Sequence, residues 1–228
     1  MGYILEGLKH GLALLLPPSG EILRIVALSL VVSGAATLLA SLAAVPASLF
    51  LALKEFRGKR LLVGVINTAM AVPAVLIGLL VYGLVSRRGP LGTLGLLFTP
   101  GAMVLAQALL AFPLITALAL AALKGIARDA RDLALSLGAD RRQLAAAVIR
   151  QGRFAFLTAI IAGFSRVIGE TGMTLMVGGN IKGQTRVLTT AISLETMKGN
   201  FEIGIALGIV LLIAALVINI ALQGVQGK

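Results

Sequence analysis

The sequence contains no cysteine and no tryptophan, and only one histidine, His10. Without cysteine there is no disulfide framework, no thiolate metal site and no cysteine nucleophile. One histidine cannot form a metal-binding or catalytic cluster. Neither H-E-x-x-H nor G-x-S-x-G occurs, which argues against an intramembrane hydrolase. Aromatic residues make up 4% of the chain, leaving little for stacking on bases. Charge is scarce as well: 13% of residues, against ~25% in soluble domains. What remains is apolar, at 58% of 228 residues with a mean hydropathy of +1.02. Twenty Lys and Arg against nine Asp and Glu give a net charge of +11. With so few charges in total, that excess reads as membrane topology rather than as a nucleic-acid face. Composition therefore points to an integral membrane protein and argues against most enzyme classes and against nucleic-acid binding; the fold class expected is all-α, and the chain is not expected to be an enzyme.

A spanning helix needs about 20 mainly apolar residues. Uncharged stretches run over 25–53, 61–86, 89–123 and 203–227. The third opens on GPLGTLGLLFTPG, whose four Gly and two Pro read as a loop, so its helix starts near Ala102. A fifth span is expected over 154–178, with Arg166 and Glu170 inside it. The five predicted spans are 22–53, 61–86, 102–123, 154–178 and 203–226, all within a transmembrane domain over 21–228. Pro46, Pro73 and Pro113 predict kinks in the first three. Ser29, Ser33, Thr37 and Ser41 recur every four residues, a small-residue stripe suited to close helix packing. Residues 1–20 place Ile4, Leu8, Leu12 and Leu15 on one face and read as an interfacial helix, not a sixth span or a cleaved signal. Twelve of the basic residues fall on the side of loops 54–60 and 124–153 and the C-terminus, and seven on the other. The first side is expected to be cytoplasmic, with the N-terminus outside.

The 124–153 loop has internal order. Ala130, Leu133, Ala134 and Leu137 lie on one helical face, with Asp129 placed to cap the start and Gly138 to end it. Asp140 and Gln143 have capping-box spacing for a second helix. A two-turn helix of this kind is not stable alone. Periodicity leaves open whether it docks on this chain's own helix ends or on another subunit. The stretch resembles the EAA loop of ABC-importer permeases, in which Glu-Ala-Ala is followed, after three residues, by Gly. Here Asp132-Leu133-Ala134, three residues and Gly138 take those places, with Asp for Glu and Leu for the first Ala. The later Ile-x-Leu-Pro is replaced by Val148-Ile149-Arg150-Gln151, without proline. The resemblance implies a type I (MetI-like) permease core whose coupling helix meets an ATPase subunit through Arg131, Asp132, Leu133, Ala134, Leu137 and Gly138. No G-x-x-x-x-G-K-[ST] is present, so this chain is expected to bind no cofactor, with ATP and Mg used by the separate ATPase.

Arg166 and Glu170 stand four apart, so each can neutralise the other inside the membrane. They are read either as the lining or gate of an anion path or as a structural brace. The following segment, VGGNIKGQTRVLTTAISLETMKGNF, carries Gly179, Asn180, Gly183 and Thr185 as hydrogen-bonding positions, with Lys182 and Arg186 as cations. Such donors hold tetrahedral oxyanions, and the same composition also suits a wet loop over the bundle. Arg166-Val-Ile-Gly169-Glu170 followed by Gly179-Asn180-Ile181-x-Gly183-x-Thr185 is similar to the molybdate, sulfate and tungstate permease group. GPLGTLGLLFTP and TTAISLETMKGNF resemble its tungstate branch. The resemblance implies an ATP-driven oxyanion importer of the inner membrane working by alternating access. It implies Arg166 and Glu170 at the anion path or gate. It further implies Gly179, Asn180, Lys182, Gly183, Thr185 and Arg186 on an outer loop facing an extracytoplasmic binding protein. The implied partners are a second copy of the chain, two ATP-binding cassette subunits, that binding protein and membrane lipid. The alternatives are a molybdate or sulfate permease of the group, or a proton-coupled secondary transporter, against which no internal repeat is visible.

Overall fold

A computed structural model describes residues 20–136 and 138–226, together with residues 6, 7 and 9. Among them every regular element is helical. The helices are α1 (Gly20–Leu53), α2 (Lys59–Ala69), α3 (Ala74–Val85), α4 (Pro100–Ser136), α5 (Arg141–Ile168), α6 (Gly172–Gly178), α7 (Leu188–Met197) and α8 (Phe201–Gln226). Four of them, α1, α4, α5 and α8, are long and apolar enough to cross a membrane; the bent pair α2–α3 makes a fifth crossing if counted as one.

The centre of the bundle is α4. Ala102, Met103, Ala106, Ala111, Ile115, Ala119 and Leu123 are all buried along it, at the three- and four-residue spacing of one broad helical stripe. α1 lies against it through Val32, Ala36, Ala40 and Ala44. The predicted Ser/Thr stripe is buried on that same helix. Ser29, Thr37 and Ser41 each donate to the carbonyl four residues back, which pairs their hydroxyl protons within the helix. Small residues also bring α5 onto α4. A Cβ on Gly152 would lie 2.5 Å from Leu123, and one on Gly163 would lie 2.5 Å from Ile115. Where lipid is as apolar as the side chains, such close approach is the main source of helix association.

Three expectations need correction. The predicted span 61–86 is two helices meeting at 98°, broken just before Pro73. Proline lacks an N–H donor and pushes Val72 out of helical geometry, and Thr68 to Val72 turn the chain instead. By contrast α1 and α4 continue through Pro46 and Pro113. The predicted span 154–178 is also divided: α5 stops at Ile168 and α6 begins at Gly172. Finally, the expected two-turn helix capped by Asp129 does not start anew. Residues 124–136 continue α4, because LALAALKGIARDARDLALS contains no proline and is rich in strong helix formers. Asp129 is thus interior to a helix. The capping box that starts the next helix is as expected: Gln143 N donates to Asp140 Oδ1 at 2.7 Å, and Asp140 N to Gln143 Oε1 at 2.9 Å. Of the N-terminal segment, Glu6, Gly7 and Lys9 are helical and Gly7 backs onto Ile205 of α8; Ile4, Leu8, Leu12 and Leu15 lie outside the described residues.

Candidate functional site

Arg166 occupies the last turn of α5, and Glu170 follows the end of that helix, in the break before α6. The two still meet, with Arg166 Nη1 donating to Glu170 Oε2 at 2.9 Å. Glu170 is mostly covered, at 13% side-chain exposure, whereas Arg166 is 44% exposed. The break leaves the Glu170 carbonyl without a helical donor. Thr174 of α6 and Thr189 of α7 supply replacements at 2.9 and 3.1 Å. Three elements therefore converge on one peptide group.

Behind this point lies a polar seam that the sequence reading passed over. Gln107, 3% exposed on α4, donates from Nε2 to Thr174 Oγ1 at 3.4 Å, while its Oε1 is buried without a donor. On the other side, Ser165 Oγ donates to Asn219 Oδ1 of α8 at 3.3 Å. Gln107 and Asn219, like Asn67, are amides inside otherwise apolar runs, and that placement is a usable signal. Arg166, Ser165 and Asn219 are exposed or half-exposed on helices apolar enough to span a membrane, and such polar groups are unsuited to lipid.

The outer loop takes its shape from internal bonds. Gly179 and Asn180 adopt left-handed backbone (φ 70° and 52°), which ends α6, and Gly183 does the same at φ 76°. Gly179 also presses on Phe98, whose ring a Cβ would approach to 2.8 Å. Thr185, expected on the outward face, is fully buried: its hydroxyl donates to Gly178 O and accepts from Ile181 N. It fixes the turn and presents no side chain outward. Asn180 is half-buried, with its Oδ1 covered and unpaired. Gly179, Lys182 and Gly183 are exposed. Lys182 pairs with Glu21 of α1 at 2.9 Å, which fastens the loop to the start of that helix. So does the amide of Leu188, donating to Ser29 Oγ at 2.8 Å. Farther along, Asn200 and then Lys198 hydrogen-bond the Glu195 carboxylate and hold its pKa below the usual value.

At the opposite end, Gly138 closes the α4–α5 turn with φ 68°, and Leu133 is 58% exposed. The side chains of Arg131, Asp132, Ala134 and Leu137 lie outside the described residues. Lys59, Arg60, Lys124 and Arg128 line a cavity of about 540 Å³ beside this region, with Glu55 paired to Lys59 at 2.7 Å.

Residues 44–227 match the family model for the binding-protein-dependent transport system inner membrane component. A probable anion ABC transporter permease protein of Haloferax volcanii is 43% identical over 87% of this chain and 88% of its own length. The tungstate uptake system permease protein of Peptoclostridium acidaminophilum is 39% identical over 99% of both chains. That of Campylobacter jejuni is 37% identical over 96% of this chain and 92% of its own.

Proposed function

The chain belongs to the binding-protein-dependent transport system inner membrane components, a non-catalytic permease subunit of an ABC importer, and from that premise we propose that it carries tungstate inward. The observation that carries the substrate is the near-complete overlap with two tungstate uptake permeases, at 39% and 37% identity. The tungstate assignment is tested by competition. Uptake of labelled tungstate should be suppressed by excess unlabelled tungstate at far lower concentration than by molybdate or sulfate. Equal or stronger suppression by molybdate or sulfate would assign the chain to that alternative.

In this reading five crossings are completed by treating α2–α3 as one broken span, with the N-terminal helix lying at the interface. The cluster of Lys59, Arg60, Lys124 and Arg128 at one end supports placing that end in the cytoplasm, the N-terminus outside and the C-terminus inside. The α4–α5 turn then meets one of two ATP-binding cassette subunits through Arg131, Asp132, Leu133, Ala134, Leu137 and Gly138. ATP and Mg are consumed there, and this chain binds neither. Gly179, Asn180, Lys182, Gly183 and Arg186 sit at the end facing the extracytoplasmic binding protein, with Thr185 holding the loop in shape.

The half-exposed Arg166 supports a two-fold pair of copies with the path between them. A lone arginine at the bilayer centre costs ~2.5–3.5 kcal/mol on insertion scales. A second copy covering the Ser165–Arg166–Asn219 surface removes that exposure and places the guanidinium on the anion's route. Glu170 keeps Arg166 neutralised when no anion is present. The breaks at Pro73 and at Gly169–Thr171 supply the bends about which ATP-driven closure rocks the halves, giving alternating access.

A further inference from the structure

The outer end of α1 and the 179–187 loop enclose a cavity of about 440 Å³ in which cations outnumber carboxylates. Its charged lining is Arg24, Lys182 and Arg186 against one carboxylate, Glu21; the Glu195 carboxylate lies outside the lining, hydrogen-bonded to Asn200 and Lys198, and reaches Arg186 only through its charge. Glu21 satisfies Lys182 at 2.9 Å but stands 3.8 Å from Arg186 Nη1, too far for a hydrogen bond. The Arg186 side chain is only 18% exposed, yet it donates no hydrogen bond among the described residues, and its Nε is buried without an acceptor. Covered guanidinium N–H groups are ordinarily paired, so this one requires an explanation. Arg24 has no carboxylate partner among the described residues. A Cβ on Gly183 would meet Arg24 Nη1 only at 4.0 Å, an ordinary contact, so it is the φ of 76° that favours glycine beside the arginine. The positive end of a 34-residue helix lies at the same place.

Two guanidinium groups and an ammonium around a small cavity lined by a single carboxylate, two short of neutrality, match a tetrahedral dianion. Arginine's planar fork grips two oxygens of such an ion at once, and lysine adds a point charge. We infer that this cavity is an outer oxyanion site of the permease itself, in which Arg24, Lys182 and Arg186 receive the ion and Glu21 competes for the same cations. The inference rests on the oxyanion-import reading. Glu21 gives the site its working logic: it keeps the cations partly neutralised when empty and weakens the hold on the ion, so that the ion moves on.

The test uses the full chain with its ATPase subunits in nanodiscs of zwitterionic lipid, without binding protein, and tungstate in equilibrium dialysis. Wild type should bind weakly and saturably, with sulfate or molybdate competing and chloride not. Glu21→Gln should bind about ten-fold more tightly, and Arg24→Gln or Arg186→Gln at least ten-fold more weakly. A gain of affinity in Glu21→Gln cannot be produced by misfolding, so the set stays decisive if Arg186→Gln disturbs the loop. Absence of saturable binding in both wild type and Glu21→Gln would overturn the site. So would unchanged binding in Arg24→Gln and Arg186→Gln, including the case in which these variants only weaken docking of the binding protein. ATP-driven uptake is measured on the same purified wild-type complex sealed into proteoliposomes, with binding protein added. Uptake without direct binding removes this site alone, whereas no uptake of any oxyanion removes the reading beneath it.

Discussion

Arg166 and Glu170 meet across the end of a helix, and the consequences differ from those of a pair along one. Their spacing of four residues made the contact legible in the sequence, but the position of the break was not. Gly169 and Gly172 are weak helix formers, yet a helix often runs through such residues when its neighbours require it. What stops α5 here is tertiary: Thr174 and Thr189 offer the Glu170 carbonyl two hydroxyls in place of a helical amide. The pair also sets a test that separates charge balance from transport. Removing Arg166 alone leaves a largely covered carboxylate unpaired, a change that costs about 3–5 kcal/mol in a fully buried pair and less here, where Arg166 is 44% exposed. Arg166→Ala should therefore lower thermal stability in detergent more than the double variant Arg166→Ala/Glu170→Ala. The double variant should stay folded and carry tungstate at least ten-fold more slowly. Wild-type flux from the double variant would make the pair a structural brace.

At the scale of helices, the sequence located apolar runs well and helix ends poorly, for a physical reason. Charges mark where a helix leaves the membrane; they do not mark where it ends. The apolar run of α4 finishes at Leu123, but its helix continues to Ser136 through Lys124, Arg128 and Asp129. Conversely 61–86 has no charge and is still broken, because Pro73 acts on backbone geometry and not on hydropathy. The α4–α5 turn was legible because both its signals are local: a glycine at positive φ and a capping box. Gly138 is exposed, and a Cβ there would have nothing within 4 Å, so a side chain would be opposed chiefly by the left-handed backbone, at roughly 1–2 kcal/mol. Gly138→Trp should accordingly insert and assemble normally. If this turn meets the ATPase, the variant should keep hydrolysing ATP while uptake per ATP falls several-fold. Unchanged uptake per ATP would remove the turn from the coupling contact.

At the scale of the whole molecule, many large apolar side chains among the described residues face outward, while small residues fill the α1–α4 contact. Val31, Leu38, Leu42, Leu61, Leu212 and Leu216 are all more than half exposed, while Ala36, Ala44, Ala106 and Ala119 are at or near complete burial. A protein in water would reverse much of that order; one in lipid has no reason to. The excess of positive charge is distributed accordingly. One group of cations gathers at the expected cytoplasmic end, and Arg24, Lys182 and Arg186 at the other. Composition gave the class of molecule, but it did not distinguish these two groups, since the cavity at the second end joins residues some 160 positions apart. The measurement that bears most directly on the whole picture is uptake by proteoliposomes containing this chain and its ATPase subunits, with binding protein outside and labelled tungstate. Accumulation is expected only when ATP, ATPase and binding protein are all present, and omission of any one should abolish it. Accumulation by this chain alone, driven by a proton gradient and indifferent to ATP, would refute the account.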